Sequence, residues 1–493
     1  MSVKEDLLGM LKFRAAQLSA LTALIVGVGT GCFITKLSVL DLDVWWHLAV
    51  GNWILQHCSF PHSGIFSRTA ADRPWMAYSW GYEVLLARSY GWFGFIGMAL
   101  FGTVLTIAVA LAVFWMLHRL SRRFWVALLL SVVALSAFLF NIMPRPVFFS
   151  MLLYAVTLTL ILEARRTGRV QLLYWLPLVF LPWANLHIQF VYGLITIGLL
   201  AGINLLQRMA ERFRLHSKFL TAPTLPVAPL FVILAGCLIA TCIGPYSFHV
   251  YRVLFGYSNS KIFYSMISEL QSLSFEGVSH FVELLLAAGA FFAIGRAKKI
   301  DPFKLTLMAI ASVFAFRATR DAWFLCITSA AVIADFPAPE EERGHPVTLP
   351  EWGVVALASF LLLLLAARNT EFDSRGLNEL ISGQFPVDAA NFVRKNPVRG
   401  PLYNSFDWGG FLVFYMPQYP VVVDGRGDLY GDELVGKIYD TESVNTAPSD
   451  DPYLNEAGLV ILKNSVPLSK LLPTDPRYRV IYRDSIATVL ARN

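Results

Sequence analysis

The chain has 493 residues, of which 56% are hydrophobic and only 15% charged, and its mean hydropathy is +0.56. A soluble fold of this length does not need so much apolar surface, so the composition marks a polytopic α-helical membrane protein. The net charge of +6 comes from basic residues in short segments between apolar runs, a positive-inside pattern and not a nucleic-acid surface.

Taking roughly 17–25 residues per crossing divides the apolar runs into about eleven spans. The first lies near 16–39, after Lys4, Lys12 and Arg14, which predicts a cytoplasmic N-terminus. It lacks a clear cleavage site, so no signal peptide is expected. An outer loop, 40–86, opens with D-L-D-V-W-W-H (41–47). The second span, 91–117, ends at H-R-L-S-R-R (118–123), and the third, 124–142, meets P-R-P (144–146). The fourth, 147–162, runs into E-A-R-R-T-G-R (163–169). The fifth and sixth share one apolar run, 171–206, broken by W-A-N-L-H-I-Q (183–189), and Arg208, Arg212, Arg214 and Lys218 follow. The seventh is near 227–243, and a second outer loop, 244–279, precedes the eighth at 280–296. The ninth (303–317) and tenth (322–335) are joined by R-A-T-R-D (317–321). A linker with P-A-P-E-E-E-R (337–343) leads to the eleventh, 351–367.

Alternating sides puts the basic segments that begin at 118, 163, 207 and 296 on one face. The opposite face receives Asp41, Asp43, Arg145, His187, Glu269, Arg317, Arg320 and the C-terminal segment. From 368 to 493 the composition becomes that of a small extracytoplasmic α/β domain. It has a helix at 387–396, a strand at 401–403, an apolar stretch at 409–416, and strands at 458–462, 478–482 and 486–490. The cysteines, Cys32, Cys58, Cys237, Cys242 and Cys326, have neither disulfide nor zinc spacing.

Several constellations carry chemistry. Asp41 and Asp43 end an apolar helix, where carboxylates are costly unless they act or find a partner. Either suits a general base or a metal ligand, and His47, four residues after Asp43, would share its helical face. The alternative is an interfacial helix with Trp45 and Trp46 in an aromatic belt. Arg145, Arg317 and Arg320 suit a lipid phosphate or pyrophosphate, or else they snorkel or neutralise local acids such as Asp321. Asn185, His187 and Gln189 sit in a polar turn that should line a cavity or close a packed hairpin. Glu269 in S-M-I-S-E-L-Q (265–271) is a site acid or a solvated loop residue. N-S-F-D-W-G-G-F (404–411), with Asp407 and Trp408, and V-D-G-R-G-D-L-Y (423–430) have the glycines and acids of turns. Phosphate-cradling glycine loops, H-E-x-x-H and G-x-S-x-G are absent.

The acidic first outer loop, the span count and the outer C-terminal domain together resemble the GT-C superfamily of membrane glycosyltransferases. The D-L-D-V-W-W-H-L-A-V-G-N-W-I-L, F-S-R-T-A, W-A-N-L-H, D-W-G-G and V-D-G-R-G-D-L-Y motifs are similar to those of a bacterial group placed near these enzymes. There is also a partial likeness to the catalytic subunit of oligosaccharyltransferase. It implies Asp41 or Asp43 as the catalytic acid of the first outer loop, Glu269 as the acid of a Ser-x-Ser-Glu type motif, and an acceptor-reading motif around Asp407, Trp408 and Gly409. The sequence departs at the second outer loop, where N-I-M-P-R-P offers Arg145 in place of an acidic pair.

The resemblance implies sugar transfer from a polyprenyl-(pyro)phosphate donor on the outer face of a bacterial inner membrane. Asp41 or Asp43 is then the base, Arg145, Arg317 and Arg320 hold the phosphate, and His47, His187, Glu269, Asp407 and Trp408 orient sugar or acceptor. A divalent metal (Mg or Mn) would take Asp41, Asp43 or Glu269 as ligands. Membrane lipids and the lipid-linked sugar are the expected partners, with no nucleic acid. The alternative is a non-catalytic accessory or scaffold subunit of a membrane protein complex.

Overall fold

The computed structural model describes residues 3–139, 143–214, 218–257, 268–336 and 347–493. The 337–343 linker and residues 265–267 of the S-M-I-S-E-L-Q motif lie outside them. In chain order the principal helices are α1 (Val3–Thr35), α2 (Val44–His57), α3 (Trp80–Ser121), α4 (Phe124–Phe138), α5 (Val147–Thr167), α6 (Leu176–Leu186), α7 (Val191–Arg212), α8 (Val227–Thr241) and α9 (Val250–Tyr257). There follow α10 (Val278–Arg296), α11 (Pro302–Arg317), α12 (Ala322–Ala334), α13 (Leu349–Asn369), α14 (Ser374–Gln384) and α15 (Val387–Lys395). Then come β1 (Leu402–Asn404), α16 (Gly409–Tyr415), α17 (Gly427–Glu442), β2 (Leu459–Lys463), β3 (Tyr478–Arg483) and β4 (Ala487–Arg492).

Among the described residues, six helical stretches are long and apolar enough to cross a membrane: Leu11–Leu40, Trp80–Ser121, Val147–Thr167, Ile188–Arg212, Val278–Arg296 and Leu349–Asn369. Phe124–Phe138, Val170–Leu186 and Val227–Thr241 are shorter apolar helices. On α13 the side chains of Leu357, Phe360, Leu361, Leu364 and Leu365 are all exposed. Such a row is unfavourable in water and natural against hydrocarbon.

The chain divides into two compact units. The first comprises Met1–Thr35, Gly102–Ser247 and Ile267–Thr370, and the second Lys36–Phe101, Phe248–Met266 and Glu371–Asn493. The 40–86 stretch therefore falls with the C-terminal segment in one unit, whereas the sequence predicts a single boundary at 367.

The first unit is a helical bundle with two chemically distinct ends. At one end the basic segments meet. Arg119 pairs with Glu163 at 2.9 Å, Arg165 grips Asp301 through two bonds of 2.8 and 2.9 Å, and Lys304 pairs with Asp335 at 2.7 Å. The Thr221 N–H donates to the Ile300 carbonyl at 3.0 Å, and Gln207 Nε2 to the Thr221 carbonyl at 2.7 Å. At the other end Arg145 meets Glu269, Gln189 meets Asp321, and the Thr319 N–H donates to the Gln271 carbonyl. Segregating the basic turns from the other polar turns is what alternate crossings produce.

The second unit holds a four-stranded sheet in the order β1-β2-β4-β3, with β1 parallel to β2 and the remaining pairs antiparallel. The first four residues of β2, Leu459–Leu462, are fully buried, as a central strand covered on both faces requires. The stretch 40–86 contains α2 and the first turns of α3, which is broken at Gly94 (φ 60°), so that the part after the break begins near the expected start of the second span. The apolar stretch 409–416, which the sequence leaves without an assignment, forms the short helix α16.

Candidate functional site

The D-L-D-V-W-W-H stretch caps and enters α2. Asp41 is buried, and its Oδ1 accepts the Asp43 N–H at 2.9 Å, fixing the turn. Asp43 is half-buried, and its Oδ1 accepts the Trp46 indole N–H at 3.1 Å. The aromatic-belt reading is corrected here. Trp45 is fully buried, edge-on to Phe385 and Phe411 with ring centroids 5.2 and 5.1 Å away. Its ring area is spent on packing inside the unit. His47 is also buried. Its Nδ1 lies 3.1 Å from Glu83 Oε1 at the start of α3, and its backbone N–H donates to the Asp43 carbonyl. His47 thus meets Asp43 through its backbone N–H and Glu83 through its ring.

The two turn-like motifs of the C-terminal segment pack onto this same stretch. A side-chain carbon built at Gly425 would lie 2.0 Å from Asp43 Oδ1, and one at Gly410 would lie 2.8 Å from the Leu42 carbonyl. Only glycine permits approach this close. V-D-G-R-G-D also buries an ion pair. Arg426 Nε and Nη2 donate to Asp424 Oδ1 and Oδ2 at 2.9 and 2.7 Å, and neither side chain has any exposure. Tyr430 donates its hydroxyl to Asp424 Oδ2 at 2.8 Å. The guanidinium lies 4.8 Å from the Trp75 ring centroid, a cation–π distance. Burial works against the Arg426 charge, and Asp424 and Tyr430 more than offset it, so the guanidinium stays protonated. Asp428 keeps some solvent access, but crowding by protein atoms pushes its carboxyl up to about 6, with Arg426 opposing. Glu83 lies within electrostatic reach of both Arg426 and Asp428.

Glu83, Asp424, Arg426 and Asp428 are missing from the sequence-derived candidates. The available signals were an acid in the first turn of an apolar helix, W-G-Y-E (80–83), and an arginine between glycines after a valine run. Asp407 is partly exposed and pairs with Lys463 at 3.0 Å. Trp408 is buried, with its indole N–H given to the Gln384 carbonyl, the placement of a core side chain.

The remaining candidates lie in the first unit. Arg145 Nη1 reaches both Glu269 oxygens at 3.1 and 3.2 Å, so these two candidates neutralise each other. His187 Nδ1 is 2.8 Å from Ser150 Oγ, which also accepts the Trp183 indole N–H at 2.8 Å. That network closes the W-A-N-L-H-I-Q turn as a buried hairpin, with Asn185 Nδ2 donating to the Leu181 and Ile243 carbonyls. Asp321 is buried and accepts from Gln189 Nε2 at 3.3 Å. Burial pushes its carboxyl up, while Arg320 and Arg317 hold it down. Arg317 is exposed and Arg320 half-buried.

Among the described residues no three His, Cys, Asp or Glu side chains converge as metal ligands. Asp41 Oδ1 accepts the Asp43 backbone N–H, and Glu269 is paired with Arg145. No step is derived through a metal.

No protein-family model matches the chain, and no curated protein does. Solved structures do. The oligosaccharyltransferase AglB of Archaeoglobus fulgidus, in complex with an inhibitory peptide and a dolichol-phosphate, is similar with a TM-score of 0.53 at 10% identity, over 92% of this chain and 70% of that one. The Archaeoglobus fulgidus oligosaccharyltransferase in its apo form gives 0.53 at 11% identity, over 91% and 69%. ArnT from Cupriavidus metallidurans bound to undecaprenyl phosphate gives 0.43 at 14% identity, over 95% and 97%. The likeness to the oligosaccharyltransferase is one of fold. Among the described residues, the six long apolar helices have the length and composition of multi-pass membrane spans.

Proposed function

We propose that this chain is a glycosyltransferase that moves a sugar from a polyprenyl-(pyro)phosphate donor to an acceptor on the outer face of a bacterial inner membrane. In this reading it crosses the bilayer about eleven times, with a cytoplasmic N-terminus and residues 368–493 periplasmic. The observation that carries the proposal is a fold similar to that of the oligosaccharyltransferase over 92% of the chain together with a half-buried carboxylate, Asp43, in the 40–86 stretch. The lipid phosphate bound to the oligosaccharyltransferase of the same fold supports a lipid-linked donor.

Inverting transfer needs a base for the acceptor hydroxyl and cations for the departing phosphate. Asp43 is assigned as the base: it retains solvent access, while Asp41 is buried and shapes the turn. As the acceptor oxygen attacks the sugar carbon, Asp43 takes its proton. The carbon–oxygen bond to the phosphate breaks, and the polyprenyl phosphate leaves with the electron pair. Arg320, Arg317 and Arg145 are the candidates for that phosphate, as cations able to fork onto its oxygens. His47 and His187 act through the fold, by holding Glu83 and Ser150 respectively. Asp407, the accessible member of its motif, is assigned to the acceptor.

The test is turnover of polyprenyl-phosphate sugars by purified protein, with Asp41→Asn and Asp43→Asn compared. Loss of turnover in Asp43→Asn with donor binding retained supports the assignment. A wild-type protein that binds donor, turns none over and co-purifies in a larger complex would move the chain to the accessory-subunit reading.

A further inference from the structure

The basic end of the first unit carries a cleft of about 540 Å³. Arg122, Arg165, Arg166 and Lys304 line it against only two carboxylates, Asp301 and Asp335, with Thr167, Thr221 and Thr224 between them. Both carboxylates are occupied, Asp301 by Arg165 and Asp335 by Lys304. Two hydrogen-bond donors in the lining are buried and unpartnered: Arg165 Nε and Thr221 Oγ1. The Arg165 side chain is only 10% exposed. Its Nη1 and Nη2 are spent on Asp301, and Phe303 covers the guanidinium face at 4.6 Å. A buried guanidinium N–H without an acceptor is costly, and an anionic oxygen satisfies it best. Arg122 stands exposed at the lip, in a left-handed conformation at φ 56°.

Ser121 and Phe336 continue from this cleft into a second cavity of about 380 Å³. Its wall is apolar, made by Val126 of α4, Gly289, Phe292 and Ala293 of α10, and Ile333 of α12, with Arg123 and Arg296 at its rim. A phosphate-sized basic cleft that opens into a hydrocarbon-lined groove between apolar helices fits one molecule at both ends. We propose that this face holds an anionic glycerophospholipid, its phosphate in the Arg122–Arg165–Thr221 cleft and one acyl chain along the α4–α10–α12 groove. Charge complementarity selects the headgroup: arginine forks favour phosphate oxygens, and basic pockets between membrane helices are the usual seats of acidic lipids. The groove selects a lipid over a soluble phosphate, since burying acyl carbons adds affinity that a free ion lacks. The site lies at the end of the bundle opposite Arg145, Arg317 and Arg320 and is independent of the proposed transfer reaction.

The experiment is native mass spectrometry of delipidated, detergent-purified full-length protein. It is titrated separately with phosphatidylglycerol, phosphatidylcholine and inorganic phosphate. Phosphatidylglycerol is expected to be retained at one copy, phosphatidylcholine about tenfold more weakly, and inorganic phosphate not at comparable concentration. Arg122→Gln with Arg296→Gln should weaken phosphatidylglycerol about tenfold or more and leave phosphatidylcholine unmoved. Both arginines are exposed, so folding is preserved, and Arg122→Lys with Arg296→Lys should restore most of the retention. Ala293→Trp, which fills the groove, should remove lipid retention while the arginines remain. Equal retention of the two lipids, an unaffected double glutamine variant, or tight binding of inorganic phosphate that survives Ala293→Trp each overturns the proposal.

Discussion

Replacing Arg426 with methionine tests whether the buried ion pair holds the second unit together. The substitution keeps much of the side-chain volume over Trp75 and removes the charge. It leaves Asp424 with no exposure, retaining only the Tyr430 hydroxyl at 2.8 Å and the N–H of residue 426 at 3.0 Å. Breaking one partner of a buried pair costs about 3–5 kcal/mol, because the survivor is an uncompensated charge. The two remaining donors put this case near the lower end, about 3 kcal/mol. Asp428 and Glu83 also lose their nearby cation, which adds to the cost. The readout is hydrogen–deuterium exchange of the Leu459–Lys463 amides in β2, the covered centre of the sheet, at graded urea. Adding Asp424→Asn to Arg426→Met removes the orphaned charge and should recover all but about 1–2 kcal/mol. A single variant costing less than about 1 kcal/mol, or a double variant as damaged as the sum of both singles, refutes the reasoning.

Other outcomes follow from the same geometry. Gly425→Ala drives a methyl group to within 2.0 Å of Asp43 Oδ1, so it should lower turnover as Asp43→Asn does while leaving donor binding intact. Wild-type turnover in Gly425→Ala would separate the 423–430 motif from the site. Glu442 in α17 is buried beside Phe406, Asp407 and Lys463, and burial pushes its carboxyl up to about 7. A carboxyl raised in the folded state contributes stability below its unfolded value, about 4.5, and loses it as pH rises through about 7. The wild type should therefore fall in stability between pH 5 and pH 8, by on the order of 3 kcal/mol, and Glu442→Gln should flatten that fall. An unchanged slope in the variant assigns the titration elsewhere. Glu269→Gln releases Arg145 from its pair. The change should alter donor affinity about tenfold or less, since the pair is partly exposed and the gain is screened, and a complete loss of turnover would make Glu269 itself catalytic.

The bundle was legible because apolar runs near twenty residues have few soluble alternatives, and the basic segments sorted themselves by side. The sheet was legible as well: the expected strands at 401–403, 458–462, 478–482 and 486–490 match β1 to β4 to within two residues. The helix inside the first outer loop was not. Val44–His57 has only 14 residues, too few to span, and polar ends made it look like loop. Apolar content alone could not tell α16 from a strand, because so short a run carries no clear period. The site was half legible. Residue types drew attention to Asp41, Asp43 and His47, but Glu83 and Arg426 lie 36 and 379 positions beyond His47 along the chain. No local pattern reports such pairings. The V-D-G-R-G-D glycines signalled a turn, when their larger role is to let the backbone press against Asp43.

Under the proposed function, the chain transfers sugar from a lipid phosphate with Asp43 as the base. The most direct measurement is mass-spectrometric release of free polyprenyl phosphate from a polyprenyl-phosphate sugar by the purified chain, with acceptor-containing membrane extract. The wild type is predicted to release it, and Asp43→Asn to do so about 10²–10⁴-fold more slowly at unchanged donor affinity. Equal release by the wild type and Asp43→Asn contradicts the account.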